Sequence, residues 1–473
     1  MTGAGRRPGP LLLLAALSLA GVLLRLALAA RLPIVDDEAY YWLWSRHLGW
    51  GYPDHPPMIA ALLALATRVA GDSPVVIRAL PLLLASAIPL LLYLAGRDLF
   101  DRSTGLRAAA IVAALPIVAL GTALAFPDGP FGAFWMLALW SGWRALRTGG
   151  WWWVAAGGAV GLALLTKLTA FFLILGLGGM VLFGEWRRAL RDPGFYAGAA
   201  LAGVMAAPFL LWNATHDWWT ITFTLTRSAW IEPRSVPENL LLFAAGQIGY
   251  HGVAAVALVG AVIAAARRTD SAWRYLVWMS APLLLMMFTY GAWAAAKPHW
   301  PSAAYFAAAI ALGALWPGLR GRRRGLTRAA VALTALLTIS LPAAALLPVG
   351  FDLASSLGQW DQVAQAAGRR ADERREAGRP VFILTDGYQA ASQIAYHLRE
   401  RIPVTPLRYA FTLWLPPQTL EGYDAVYVET EGYWMTRIRA HCAAVTSAET
   451  LTVAPGVRAT LYLCRELRNV FPE

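Results

Sequence analysis

Residues 34–58 read IVDDEAYYWLWSRHLGWGYPDHPPM, and within that stretch stand Asp36, Asp37, Glu38, Asp54 and His55. Carboxylates and an imidazole gathered in one loop are groups that take and return protons or ligate a cation. Polar islands of the same kind recur downstream: Asp128 in FPDGPF, Lys167, His216 with Asp217, the run from Arg227 to Glu238, and Lys297 with His299. Lys167 and Lys297 are the only lysines in the chain. A cation of this kind clamps a phosphate, and a carboxylate set against it can deprotonate an attacking hydroxyl. Each island also has a plainer explanation. Asp36 or Asp37 suits the N-cap of a helix beginning near Glu38, Asp128 suits turn chemistry beside Gly129-Pro130, and Arg234 with Glu238 suits a surface ion pair of little energetic weight.

The elements that must position these residues are apolar. The chain is 58% hydrophobic and only 14% charged, with a mean hydropathy of +0.50, which excludes an ordinary soluble domain. Runs such as 10–30, 75–96 and 329–347 are nearly unbroken Leu, Ala, Val and Ile, long enough to cross roughly 30 Å of hydrocarbon. Roughly eleven such segments follow one another, near 10–31, 74–96, 105–122, 130–146, 151–166, 168–184, 195–213, 240–265, 275–292, 301–317 and 327–347. Lys167 divides the stretch 151–183 into two pieces that are each barely long enough to cross. The first segment is read as an uncleaved span because its leucine run is long and many spans follow. Most arginines fall in alternate loops, which places the N-terminus in the cytoplasm and the acidic loop outside. The net charge of +12 is then a signature of topology, and nucleic acid is not an expected partner. Tyr40, Tyr41, Trp42, Trp44 and Trp50 are expected to lie at headgroup level. A carboxylate held at such depth is a functional candidate by default.

The texture changes near residue 349. RPVFILTDGYQAASQIAYHLRE reads as strand, turn and amphipathic helix, and YDAVYVET and RATLYLCR read as further strands. The expected organisation is an all-α polytopic membrane domain over 1–348 and an extracytoplasmic α/β domain over 349–473. Cys442 and Cys464, the only cysteines, both fall in the second part. A disulfide or two buried thiols fit equally well at this level.

The ordered set Asp37-Glu38-Ala39-Tyr40-Tyr41, Asp54-His55-Pro56-Pro57, Phe126-Pro127-Asp128, Thr166-Lys167 and Lys297-Pro298-His299-Trp300-Pro301 resembles bacterial relatives of the protein O-mannosyltransferases and of the lipid A aminoarabinose transferase. The resemblance covers roughly residues 10–350 and rests on the whole ordered set, since an Asp-Glu pair alone is a weak signature. It implies a C-type glycosyltransferase fold in a bacterial inner membrane, a polyprenyl-phosphate sugar as donor, and Asp37 of the Asp37-Glu38 pair as catalytic base. Asp54 matches an acidic residue before a Pro-Pro pair in the aminoarabinose transferase. His55 stands where that enzyme has Lys, and Tyr40 where it has Arg, so its phosphate contacts do not carry over at those positions.

The residues support such chemistry independently. Displacement at an activated anomeric carbon needs a base for the acceptor hydroxyl and positive charge for the departing phosphate. Asp37 with Glu38 would serve the first need. Lys167, Lys297 and Arg227, joined by His299, Asp128 and Tyr40, would serve donor and phosphate binding. No organic cofactor is called for; a divalent ion bound by Asp37, Asp54 and His55 or His299 is left open, with Asp54 and His55 the first candidates. The expected partners are the polyprenyl-phosphate sugar, membrane lipid, and a lipid, glycan or protein acceptor. A polytopic transporter would share the spans and charges, although no internal repeat is visible. A polymerase or ligase of O-antigen type would share the chemistry, and a lipid-binding scaffold would leave the acidic loop unexplained.

Overall fold

The computed structural model describes residues 9–226, 235–294, 296–346, 359–430, 435–454 and 457–468. It separates into two compact units. The first comprises 1–29, 50–59 and 78–347, and the second 30–49, 60–77 and 348–473. The second unit therefore takes in two stretches that the sequence reading placed with the membrane part.

A helix lies over each of the eleven apolar segments, most of them wholly within the first unit. Several begin where the sequence provides a cap. Asp101 accepts from Thr104 N at 2.8 Å ahead of Arg102–Ala113, and Asp192 accepts from Gly194 N at 2.8 Å ahead of Pro193–Ala214, satisfying amides that an α-helix leaves open at its start. By length and composition, four helical stretches among the described residues can cross a membrane: Leu14–Arg31, Pro74–Leu99, Pro193–Ala214 and Ser271–Trp293. Two further helix pairs would raise this to six, but each is bent sharply. The segment expected as one span at 240–265 is such a pair, turning by 105° between Val236–His251 and Ala254–Ala266. Gly252 sits at the break with φ +70°, a conformation glycine adopts without a steric penalty. Trp151–Leu164 and Leu168–Phe183 are apolar but short, as the dividing Lys167 suggested.

The second unit is built on a five-stranded sheet, β1 Val381–Thr385, β2 Val404–Thr405, β3 Asp424–Glu429, β4 Cys442–Ala454 and β5 Val457–Leu467, in the order β2-β1-β3-β5-β4. β1 runs parallel to β2 and β3, while β5 is antiparallel to both β3 and β4. The apolar run VFILT is buried along its whole length, as a central strand covered on both faces requires. Cys442 and Cys464 form a disulfide between β4 and β5. At the start of the central strand β3, Asp424 is fully buried and paired with Arg374 at 2.6 Å and Arg379 at 3.4 Å.

The acidic helix Asp36–Arg46 belongs to this unit and packs on the helix Tyr388–Leu398. This corrects the expectation for its aromatic residues. Tyr40, Trp42 and Trp44 are buried in protein, Tyr40 lying 4.7 Å from the Tyr388 ring and 5.9 Å from Phe411, and Trp42 lying 5.2 Å from Tyr396. Trp50 alone of the five is exposed. The rings are a packing surface for the α/β part, whose partner residues lie some 350 positions away and leave no local trace.

Candidate active site

In the first unit, the loop leading to Met58 is tied down at several points. Tyr52 N donates to His55 O at 3.1 Å, Thr220 Oγ1 donates to Tyr52 O at 2.7 Å, and Met58 N donates to Leu165 O at 3.0 Å. These bonds hold Asp54 and His55 on a cavity of about 360 Å³ that they share with Lys167. Phe171, Phe172, Ile221, Leu225 and Met287 supply much of its apolar wall. The cavity thus joins an apolar surface to an ammonium, an imidazole and a carboxylate.

Lys167 stands between the helix Trp151–Leu164 and the short turn Leu168–Ala170. Its Nζ donates to Asp128 Oδ1 at 2.8 Å, and the two side chains are only 8% and 19% exposed. Asp128 opens the helix Asp128–Thr148, where an acidic residue complements the helix dipole. His299 lines a small cavity together with Asp128. An ammonium carries three donors, so one bond to Asp128 leaves capacity for a phosphate oxygen.

The loop of Lys297 and His299 is fastened from beneath. Gln247 Nε2 donates to Pro298 O at 2.9 Å, Tyr305 OH donates to Gln247 Oε1 at 3.1 Å, and Ser302 Oγ donates to His299 O at 2.6 Å. His251, fully buried, has its Nε2 2.9 Å from the same Ser302 hydroxyl and its ring 4.2 Å from Tyr305. A Cβ at Gly246 would overlap the Pro298 ring, so only glycine permits this approach. Lys297 itself is exposed. Sequence reasoning overlooked His251 and Gln247, although a histidine within an apolar segment is a recognisable signal.

In the second unit, the three consecutive acids have distinct settings. Glu38 is buried and its Oε2 accepts from Val35 N at 3.1 Å, reaching back to the residue before its helix as a capping carboxylate does. Asp36 accepts from Gln393 Nε2 at 2.8 Å, and that amide also donates to Ile34 O. Burial pushes the Asp36 carboxyl above its usual range; the Gln393 hydrogen bond opposes this and the neighbouring Asp37 adds to it. Asp37 is partly exposed and accepts from Tyr388 OH at 3.1 Å. The Tyr40 hydroxyl accepts from Ala410 N at 3.4 Å. Tyr388 and Gln393 were also absent from the sequence reading, because nothing local connects them to Asp37 and Asp36.

Among the described residues no group of three or more His, Cys, Asp or Glu side chains could hold a metal ion. Arg227 lies outside the described residues.

A cavity that sets an ammonium, an imidazole and a carboxylate against an apolar wall, within a helical membrane part, has the surfaces that a lipid-linked anionic substrate needs. The family described as dolichyl-phosphate-mannose-protein mannosyltransferase matches residues 54–212. The lipid A galacturonosyltransferase RgtD of Rhizobium johnstonii is 33% identical over 377 residues, 77% of each chain. The crystal structure of ArnT from Cupriavidus metallidurans has the same fold, with a TM-score of 0.67 at 16% identity in the apo state, covering 96% of this chain and 97% of that one. ArnT bound to undecaprenyl phosphate gives 0.64 over the same shares. The Archaeoglobus fulgidus oligosaccharyltransferase is more distant, with a TM-score of 0.52 at 14% identity, covering 84% and 64%. The chain belongs to the family of the RgtD enzyme, the C-type-fold membrane glycosyltransferases. It is a glycosyltransferase, which sets the transporter and scaffold readings aside.

Proposed function

We propose that this protein transfers a glycosyl unit from a polyprenyl-phosphate donor to an envelope glycolipid of lipid A type, on the external face of a bacterial inner membrane. The observation that carries this reading is the cavity where Lys167, His55 and Asp54 meet a wall of Phe171, Phe172, Ile221, Leu225 and Met287, since a lipid phosphate needs both surfaces at once. The name of the RgtD relative supports the acceptor, and the undecaprenyl phosphate bound to ArnT supports the donor.

In the proposed reaction the acceptor hydroxyl attacks the anomeric carbon while Asp37 takes its proton. The bond from that carbon to the phosphate oxygen breaks, and polyprenyl phosphate departs with the electron pair. Lys167, with Lys297, Arg227 and His299, stabilises the charge on the departing oxygen; one such donor typically contributes about 2.7–4 kcal/mol to the transition state. Asp128 holds Lys167 in place, and Glu38 shapes the start of the helix that carries Asp37. The topology that goes with this reading has the N-terminus in the cytoplasm and the α/β unit outside, where it helps select the acceptor. The experiment is transfer by purified protein from a panel of radiolabelled polyprenyl-phosphate sugars to lipid A. Label in the lipid A fraction, with release of polyprenyl phosphate, supports the reading; transfer only from nucleotide sugars would overturn it.

A further inference from the structure

At the far end of the helix Phe171–Phe183 from Lys167, about 20 Å away at 1.5 Å per residue, lies a second depression of about 340 Å³. Its lining joins the apolar side chains of Met180, Phe183, Val277 and Trp278 to Arg267, Arg268 and Arg274. Phe183 is 77% exposed and stacks on Trp278 at 6.2 Å. Among the described residues none of the three arginines forms an ion pair. Arg268 lies over the Trp273 ring at 4.6 Å. Glu185 and Asp270, the carboxylates of the adjoining loops, do not line the depression, and Glu185 is engaged by the Ser271 hydroxyl. Arginines in a loop are ordinary at a membrane face. Three of them without ion-pair partners, lining one depression together with aromatic and aliphatic side chains, are a different arrangement. The planar guanidinium fork matches phosphate oxygens, and exposed aromatic rings suit the first methylenes of an acyl chain.

We propose that this depression binds an anionic phospholipid, its phosphate held by Arg267, Arg268 and Arg274 and its acyl chain laid along Phe183 and Trp278. Basic pockets between membrane helices are recognised sites for such headgroups. The site is remote from the cavity of Lys167 and does not depend on the identity of the sugar donor.

The test uses the full-length protein in neutral detergent. Its unfolding temperature is followed while phosphatidylglycerol, phosphatidylcholine or inorganic phosphate is added, and native mass spectrometry counts the lipids retained. The expected result is stabilisation by phosphatidylglycerol alone, with an apparent affinity at least about tenfold weaker in Arg268→Gln/Arg274→Gln, as the loss of two interfacial charges implies. Arg322→Gln/Arg323→Gln, in a separate exposed stretch, should keep the wild-type response. Equal stabilisation by phosphatidylcholine or by inorganic phosphate would overturn the proposal, as would equal loss in the control variant. Should the double variant fold poorly, Arg274→Gln alone must still retain less phosphatidylglycerol than wild type in the mass spectra, and equal retention would refute the site.

Discussion

Replacing Lys167 with Met separates two contributions that the structure superimposes. The ammonium neutralises Asp128 at 2.8 Å, and it is proposed to face the donor phosphate. With both side chains largely buried, removing the cation leaves the Asp128 carboxylate short of its main partner. Breaking one side of a buried pair costs on the order of 3–5 kcal/mol. His299 lines the same small cavity and offers that carboxylate a polar neighbour, so a loss of about 3 kcal/mol, at the low end of that range, is expected. Adding Asp128→Asn removes the stranded charge and should recover most of that stability, because the pair is then replaced by neutral groups of similar volume. Transfer should behave differently. Losing one phosphate donor lowers turnover by about 100- to 1000-fold, and the double variant should be no better. Unfolding temperature in detergent and the rate of polyprenyl-phosphate release, measured on both variants, separate the two contributions. Recovery of activity together with stability in the double variant would show that Lys167 only balances Asp128, and undiminished turnover in Lys167→Met would remove its role altogether.

Three further outcomes follow from the same structure. Gly246→Ala should push Pro298 away and displace Lys297 and His299, lowering turnover while leaving the α/β unit's protease resistance unchanged. In that unit, burial opposes the charge on Asp424, but the Glu466 amide together with Arg374 and Arg379 outweighs it and holds the carboxyl below its usual range. The stabilisation is therefore fully present above about pH 4, the unfolded carboxylate value, and is lost as pH falls through the lower folded value. An acid titration of the unit's circular dichroism should show that loss, and Asp424→Asn should abolish the pH dependence in that window. Reducing the bridge between Cys442 and Cys464, which are 22 residues apart, should cost about 3 kcal/mol; a melting temperature unaffected by reductant would contradict this.

Much of the fold could be read locally. VFILT, the amphipathic helix after it and RATLYLCR became β1, the helix Tyr388–Leu398 and β5 because hydrophobic period and β-branched content agree there. β4 was not legible: its register shifts between Ser447 and Glu449 and again between Thr452 and Ala454, and such bulges break the alternation a strand is recognised by. The break at Gly252 was hidden because hydropathy continues across it while the backbone turns. At the site, residue types marked Asp128 and Lys167 as candidates, but their pairing spans 39 positions and depends on helix packing. The neighbours of Asp37 and Asp36 were out of reach for the same reason, since Tyr388 and Gln393 lie in the unit that the sequence showed only as a separate domain. Compartment chemistry pointed to a bridge between Cys442 and Cys464 without deciding it, and the β4–β5 pairing brings the two together.

Asp37 is proposed as the base of a polyprenyl-phosphate-dependent transfer. Asp37→Asn retains an oxygen that can accept from Tyr388 OH, so folding should be preserved while proton uptake is lost. The measurement is single-turnover release of polyprenyl phosphate by purified wild-type and Asp37→Asn protein, with donor binding determined in parallel. If Asp37 is the base, donor affinity is unchanged and the rate is at least about 100-fold lower in the variant. A rate near wild type would contradict it and move the base to another carboxylate.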